Sequence, residues 1–297
     1  MKTSISVVIP VYNNEKAIRK TLSALINQDY PREKFEIIVV DNGSTDGSIE
    51  VVKQFKDVIL LLEHKNLSSP YSARNRGIEK ARGDIIVLLD STCTPVKEWL
   101  TEGTKCLKEQ EANIVGGDVV FNYGNKVTAG KLYDSLTNVR MEKSISERNV
   151  AKTGNLFIQR EVFNAIGLFP EGIRSGGDVR WTRRATNAGF KMVFCKKASA
   201  NYPARDTLEL FKKQWRVGLW QPDIWKEEGK ELKLVNIIIK TLIPAKPWKV
   251  SSMIKRNGKP FMKKYLYQMM IIRQTIKLIM GVANCVKIIR IRHFNKK

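Results

Sequence analysis

Residues 6–48 read SVVIPVYNNEKAIRKTLSALINQDYPREKFEIIVVDNGSTDGS, and the order of patterns in this stretch decides the fold. Ser4 to Ile9 is a short β-branched run closed by Pro10. Glu15 to Asn27 then sets Ala17, Ile18, Leu22, Leu25 and Ile26 at helical spacing. Phe35 to Val40 is again an apolar strand, interrupted only by Glu36, and ends in Asp41-Asn42-Gly43-Ser44, after which Thr45 or Asp46 can cap a helix reaching about Phe55. Further out, Val58 to Leu62 reads as a third strand, Tyr71 to Arg82 as a helix and Asp84 to Leu89 as a fourth strand. Strands apolar on both faces and separated by helices imply an α/β fold, a mostly parallel Rossmann-like sheet covered by helices on both sides. Ligands of such sheets sit beyond the carboxyl ends of the strands. Those ends are Pro10-Val11-Tyr12-Asn13, Asp41-Asn42-Gly43-Ser44 and Asp90-Ser91-Thr92.

Beyond Pro95 the pattern is mixed. A helix is expected around Val96 to Lys108 and a strand over Ile114 to Phe121. The polar stretch from Lys126 to Val150 reads as a helix with a mobile loop, and Glu161 to Ile166 and Val179 to Ala188 read as helices. The chain then crosses Pro203 and Pro222 into a basic region.

The formal net charge is +23, from 52 basic and 29 acidic residues in 297. Sixteen Lys or Arg and a single acid fall between Glu231 and Lys297, so that region carries about +15 of the total. A basic tail beside a mildly basic body suggests attachment to a polyanionic partner rather than a charge-lined catalytic groove. With 43% hydrophobic and 8% aromatic residues, disorder is not the expectation. Cys93, Cys106, Cys195 and Cys285 are scattered without CxxC spacing, which argues against structural zinc or a disulfide framework and for reduced thiols. The apolar run near the N-terminus is too short for a signal peptide, and no 18-residue uncharged apolar stretch occurs, so no spanning helix is expected.

The opening run, with SARNRGIEKARGDIIVLLDSTCTP (72–95), TGNLFIQREVFNAIGLFP (153–170), SGGDVRWTRRATNAGF (175–190) and YPARDTLELFKKQWRVG (202–218), resembles the family 2 glycosyltransferases, over roughly residues 4–220. The resemblance implies the A-type glycosyltransferase fold, with a nucleotide-sugar-binding and catalytic domain over 1–220. A basic amphipathic helical extension follows over 221–297. It further implies an inverting transfer of sugar from a nucleotide-diphosphate donor to a hydroxyl of a glycan or glycolipid.

On the matching positions, Pro10, Tyr12, Asn13, Asp41, Asn42 and Asp90 would bind the donor, with Tyr12 packing on the base. Arg74 would pair with diphosphate oxygens; the alternative is a surface arginine on a helix. Asp178 falls where the family carries its base carboxylate, which removes the acceptor proton as the hydroxyl attacks the anomeric carbon. The alternative is that Asp178 only caps its helix. Gln214, Trp215 and Arg216 would close over the diphosphate from the far, acceptor side.

Two positions depart from the family pattern. The resemblance implies a divalent metal, Mg2+ or Mn2+, held by an Asp-x-Asp motif and a later histidine. Here Thr92 stands for the last aspartate and Tyr202 for the histidine, leaving Asp90 at most as a ligand. Arg180, Arg183, Arg205, Lys213 and Arg216 are therefore expected to balance part of the leaving-group charge. The alternative reading is a catalytically decayed, membrane-associated nucleotide-sugar-binding protein.

Leu232 to Ile243 and Tyr265 to Ile289 are apolar stretches punctuated by Lys240, Arg273, Lys277 and Lys287, with Arg273 and Lys277 on one helix face. The pattern suits a helix at an anionic membrane surface, which implies a cytoplasmic protein peripheral on the cytoplasmic face. A helix packed on the core is the alternative. Nucleic acid ranks below both, because Trp225, Trp248 and Tyr265 form no recognisable nucleic-acid-binding motif.

Overall fold

Every residue of β1 (Ile5–Val11) is buried, as its apolar composition requires, and the one polar side chain, Ser6, donates to Glu36 Oε1 at 2.6 Å. The computed structural model describes residues 4–67, 69–227, 229, 234–246 and 248–294. After β1 come α1 (Glu15–Ile26), β2 (Phe35–Asp41), α2 (Ser48–Lys53), β3 (Val58–Leu62), α3 (Pro70–Lys80), β4 (Ile85–Leu89) and the two-residue β5 (Thr94–Pro95). The chain continues through α4 (Trp99–Glu109), β6 (Ile114–Asn122), α5 (Ala129–Thr137), α6 (Met141–Arg148), β7 (Asn155–Gln159), α7 (Arg160–Ile166), α8 (Gly177–Asn187) and β8 (Met192–Pro203). Four helices follow: α9 (Thr207–Glu227), α10 (Leu234–Leu242), α11 (Trp248–Asn257) and α12 (Leu266–Phe294).

Two compact units result. One comprises Met1–Phe121 with Val139–Tyr202, the other Asn122–Asn138 with Pro203–Lys297. The boundary expected at 220/221 falls inside α9. The stretch expected as one helix and a mobile loop over 126–150 forms two helices, α5 and α6, which belong to different units.

The eight strands order as β3-β2-β1-β4-β7-β6-β8-β5. The β3-β2-β1-β4 half is parallel, as the continuous apolar runs imply. β7 then pairs antiparallel with both β4 and β6, and β5 pairs antiparallel with β8. The register sets Val11 opposite Asp41 and Val8 opposite Leu88, so the loops after β1, β2 and β4 leave the sheet at one edge.

Successive side chains of a strand point to opposite faces. Ile5, Val7, Ile9 and Val11 accordingly pack with Ile18, Leu22 and Leu25 of α1, while Val8 packs with Ala73 and Ile78 of α3. Each such aliphatic side chain contributes about 1.5–3 kcal/mol on full burial. Where β7 crosses, the fully buried Asn155 is a polar hub. Its amide donates to the carbonyls of Asp118 and Ala198 at 2.8 and 2.9 Å, and its oxygen accepts from the Trp99 indole at 2.9 Å.

α3 lies unusually near the sheet. A Cβ on Gly77 would stand 2.4 Å from Val8 Cγ1 and 3.1 Å from Val40 Cγ2, so a side chain there forces the helix outward.

The second unit has its own core: Leu132, Tyr133 and Leu136 of α5 with Leu210 of α9, Val250 and Ile254 of α11, and Met269, Ile272 and Ile276 of α12. Close helix crossings are made by glycine. A Cβ on Gly218 would meet Ala283, and one on Gly281 would meet Thr241. The expected helix from Leu232 begins in the structure at Leu234; Leu232 and Lys233 lie outside the described residues. Against the expectation of no spanning helix, Pro260–Ile291 is one candidate by length and composition alone: an 18-residue window in it has mean hydropathy 1.3, and a third of that window is buried within the protein. The requirement of an uncharged run overlooked it because Arg273, Lys277 and Lys287 interrupt the apolar residues.

The close approach at Gly77 makes a stability prediction. Gly77→Val is expected to destabilise by about 1–3 kcal/mol through overpacking, despite the better helix propensity of valine. Urea unfolding followed by circular dichroism checks this; an unchanged midpoint would show that α3 has room to shift.

Candidate active site

The loops after β1 and β2 are knotted together by side chains from both. Asn13 adopts a left-handed backbone at φ +45°, and its N–H donates to Ser44 Oγ at 2.9 Å. Its side-chain oxygen accepts the Thr45 N–H at 2.7 Å, so this carboxamide fixes the second loop. Asn14 reaches further, donating to Ser91 Oγ at 3.0 Å in the loop after β4. All three strand-end loops named by the sequence are thus joined.

Within this arrangement two buried acceptors stand unsatisfied among the described residues, Asp41 Oδ1 and Asn42 Oδ1. The other Asp41 oxygen accepts the N–H groups of Gly43 and Ser44 at 3.0 Å each, an Asx turn of the kind this sequence favours. A buried polar atom without a partner costs about 1–3 kcal/mol, and such atoms are rare in native interiors. Tyr12, by contrast, is 47% exposed and offers a free ring face.

α3 supplies the next layer. Ser69 accepts the Ser72 N–H at its start and Pro70 occupies the first turn, where a missing N–H costs nothing. Tyr71 and Arg74, three residues apart, share one face, the guanidinium carbon lying 5.6 Å from the Tyr71 ring centre. Arg74 is buried, and its Nη2 donates to Asp90 Oδ1 at 2.5 Å. The reading of Arg74 as a surface arginine is therefore excluded. The Asp90 side chain itself is 38% exposed, and the absence of a side chain at Gly154 leaves room for its second oxygen.

Tyr71 reaches in the other direction. Its hydroxyl donates to Asp178 Oδ1 at 3.2 Å, and the same oxygen accepts the Val179 N–H at 2.9 Å. Lys152 Nζ lies 3.5 Å from Asp178 Oδ2. Burial, with the Asp178 charge beside it, pushes the Tyr71 hydroxyl far above its ordinary range, so it stays a donor at any working pH. Asp178 is not the capping residue of α8. That position is Gly176, at φ +86°, and Asp178 sits in the first turn. Gly177 is required by contact: a Cβ there would fall 2.9 Å from the Tyr71 ring. Packing of Trp181 against Phe163 and Phe169, with its indole on the Gly167 carbonyl at 2.8 Å, anchors the helix beneath.

Neither Tyr71 nor Lys152 was marked by the sequence. Their signals were the i, i+3 spacing to Arg74 and the position of Lys152 just before the TGNLF block. Arg180 and Arg183 lie on α8. In the second unit, Arg205 Nη1 stands 3.6 Å from the buried Asp134 carboxylate, and Lys213 donates to Asn138. Gln214, Trp215 and Arg216 lie on α9 of that unit.

The residues present do not fit a divalent cation held by the protein. Asp90 already spends one oxygen on Arg74, Thr92 offers a hydroxyl, and Tyr202 is buried edge-on against Phe121 at 5.6 Å. No group of three or more His, Cys, Asp or Glu side chains with metal-binding geometry occurs among the described residues. The four cysteines are free, and burial together with the Cys195 thiol pushes Cys106 up to about 12. A thiol so far above neutrality makes no nucleophile.

A parallel β3-β2-β1-β4 half extended by antiparallel strands, with polar loops at the strand ends and a carboxylate opening α8, is the arrangement of A-type sugar-transferring enzymes. Residues 6–192 match the family described as "Glycosyl transferase family 2", and the chain belongs to it. It is 40% identical over 282 residues to glycosyltransferase AglE of Haloferax volcanii, covering 92% of each chain. With the poly(ribitol-phosphate) beta-N-acetylglucosaminyltransferase TarS of Staphylococcus aureus it shares 29% identity over 204 residues, 65% of this chain and 34% of that one. Among solved structures, the mannosyltransferase PcManGT from Pyrobaculum calidifontis, in complex with GDP-Man and Mn2+, superposes with a TM-score of 0.63 at 20% identity, covering 97% and 87%. TarS 1-349 with UDP-GlcNAc gives 0.54 at 18% identity, covering 95% and 90%. The protein is a glycosyltransferase, and no observation favours the decayed alternative.

The Arg74–Asp90 pair makes a prediction distinct from catalysis. Asp90→Asn leaves a buried guanidinium short of its counter-charge and should destabilise by about 1–3 kcal/mol, less than a fully buried pair because Asp90 is partly exposed. Thermal unfolding of the variant checks the value, and the same stability as the parent would mean the pair contributes nothing net.

Proposed function

We propose that this glycosyltransferase inverts the anomeric centre as it moves a sugar from a nucleotide-diphosphate donor to a hydroxyl of a glycan or glycolipid, with Asp178 as the base. The observation that carries the reading is the Asp178 carboxylate, oriented by the Tyr71 hydroxyl and the Val179 N–H with Lys152 alongside. A carboxylate fixed in this way can take the acceptor proton while the acceptor oxygen attacks the anomeric carbon. The bond from that carbon to the phosphate oxygen breaks, and the nucleoside diphosphate leaves with the electron pair.

The donor lies along Pro10, Tyr12, Asn13, Asp41, Asn42, Asp90 and Thr92. The unsatisfied oxygens of Asp41 and Asn42 suit N–H or hydroxyl donors of a nucleoside, and the open Tyr12 ring suits the face of its base. Gln214, Trp215 and Arg216 act at the diphosphate or acceptor. The basic second unit attaches the enzyme to the cytoplasmic face of an anionic membrane. Support for that comes from α10, whose Val235, Ile239 and Leu242 are each at least half exposed beside Lys240.

Leaving-group charge is balanced by protein cations, Arg74 and Lys152 foremost, rather than by a protein-held divalent ion. PcManGT was solved with Mn2+; Thr92 and Tyr202 are the reasons to expect different behaviour here.

Asp178→Asn should lower kcat by about 10²–10⁴-fold while donor-induced thermal stabilisation persists. A panel of UDP-, GDP- and dTDP-sugars supplies the donor, and full turnover in the variant would remove Asp178 from the base role. Tyr71→Phe should lose about 1.5–3 kcal/mol of transition-state stabilisation, roughly 10–100-fold in kcat. Turnover should survive EDTA, and a strict requirement for added Mn2+ would sink the cation proposal. Co-sedimentation with anionic but not zwitterionic vesicles tests the membrane reading.

A further inference from the structure

The second unit contains a pocket of about 310 Å³, at the lower end of the roughly 300–1,000 Å³ typical of ligand sites. Three cations line it, Lys240, Arg273 and Lys277, and no acid does among the described residues. Arg273 and Lys277 share a helix face, as their spacing implies, but that face lines this pocket.

Arg273 shows the imbalance most clearly. Its guanidinium bonds the hydroxyl of the buried Tyr133, a neutral acceptor, while its Nε is buried without any hydrogen-bond partner. Lys277 donates to the Ile243 carbonyl, again a neutral oxygen. Half-buried Arg273 and Lys277, with exposed Lys240 beside them, have only neutral partners among the described residues, and such a cluster favours an anion in the space between them.

The rest of the lining mixes polar Thr241 and Asn284 with apolar residues, and the apolar part favours a ligand that is more than an ion. Trp225, Ile237, Ile276 and Met280 form an apolar wall that a free anion would leave uncovered. The other side of α10 shows where such a ligand comes from. Val235 and Leu242 are 65% and 68% exposed, and Ile239 and Ile243 are over half exposed. An apolar helix face open to the outside, backed by a cationic pocket with an apolar wall, matches one molecule with a charged head and a hydrocarbon tail.

We propose that this pocket binds the phosphate head and first methylenes of a single phosphorylated lipid, with Lys240, Arg273 and Lys277 on the phosphate and Trp225, Ile237 and Met280 on the chain. The proposal rests on the membrane reading above and adds to it one saturable site, apart from Asp178 and the donor residues. General attraction of a basic surface to anionic lipid needs neither a pocket nor a phosphate.

The test titrates the 297-residue chain calorimetrically with dioctanoyl phosphatidic acid, kept monomeric. Dioctanoyl phosphatidylcholine and inorganic phosphate serve as separate arms. The acid should bind saturably, one per chain, and the other two at least about tenfold more weakly. Arg273→Gln and Lys240→Gln should each weaken it about tenfold while leaving nucleotide-sugar stabilisation unchanged. Lys240 is exposed, so its variant keeps the fold if Arg273→Gln does not. Equal binding of phosphatidylcholine, equal binding of inorganic phosphate, or wild-type affinity in Lys240→Gln would each overturn the proposal. If anionic vesicles still bind while the titration fails, the pocket is wrong and the membrane reading stands. If neither binds, both fall.

Discussion

The approach of α3 to the parallel strands governs the site, because two carboxylates are held from that one helix. Gly77 lets its backbone settle against Val8 and Val40. At that depth Arg74 reaches Asp90 and Tyr71 reaches Asp178, contacts that bridge 16 and 107 residues of sequence. A shift of one or two ångströms at Gly77 would lengthen both contacts, and hydrogen bonds weaken steeply outside their narrow distance range. Glycine at 77 and at 177 therefore serves the same end. One admits the helix to the sheet, and the other admits the Tyr71 ring to the start of α8.

How much of this was legible follows from which contacts are local. β1, β2 and β4 were readable because strands buried on both faces are predominantly apolar, and half-buried β3 because its five residues are all aliphatic. β7 and β8 were not. Asn155 opens one, and Lys196, Lys197 and Asn201 interrupt the other, because their polar residues serve hubs and outer faces that only the fold creates. The separation of α5 from α6 was equally hidden, since it depends on partners beyond residue 203.

The candidate site shows the same division. Asp178 and the loop residues came from motifs that match a family, whereas the roles of Tyr71 and Lys152 exist only once α3 and α8 meet. Arg74 was a balanced choice between surface and site, and its burial removes the surface reading. Tyr202 illustrates the converse. The sequence placed it where a ligand is usual, and the structure gives it a core position against Phe121, work that a histidine would do less well.

The interruption of the first unit by residues 122–138 has a consequence during synthesis. Leu132, Tyr133 and Leu136 leave the ribosome early, but the α12 residues that cover them, Met269, Ile272 and Ile276, come much later. At roughly 5–20 residues per second the wait is on the order of ten seconds. For that interval α5 has at most Leu210 of α9 to pack on, and a helix of nine residues is too short to persist alone in water. The nascent chain thus carries a sticky segment that only its last helices can retire, and ribosomes stalled near residue 220 should hold a species prone to aggregate.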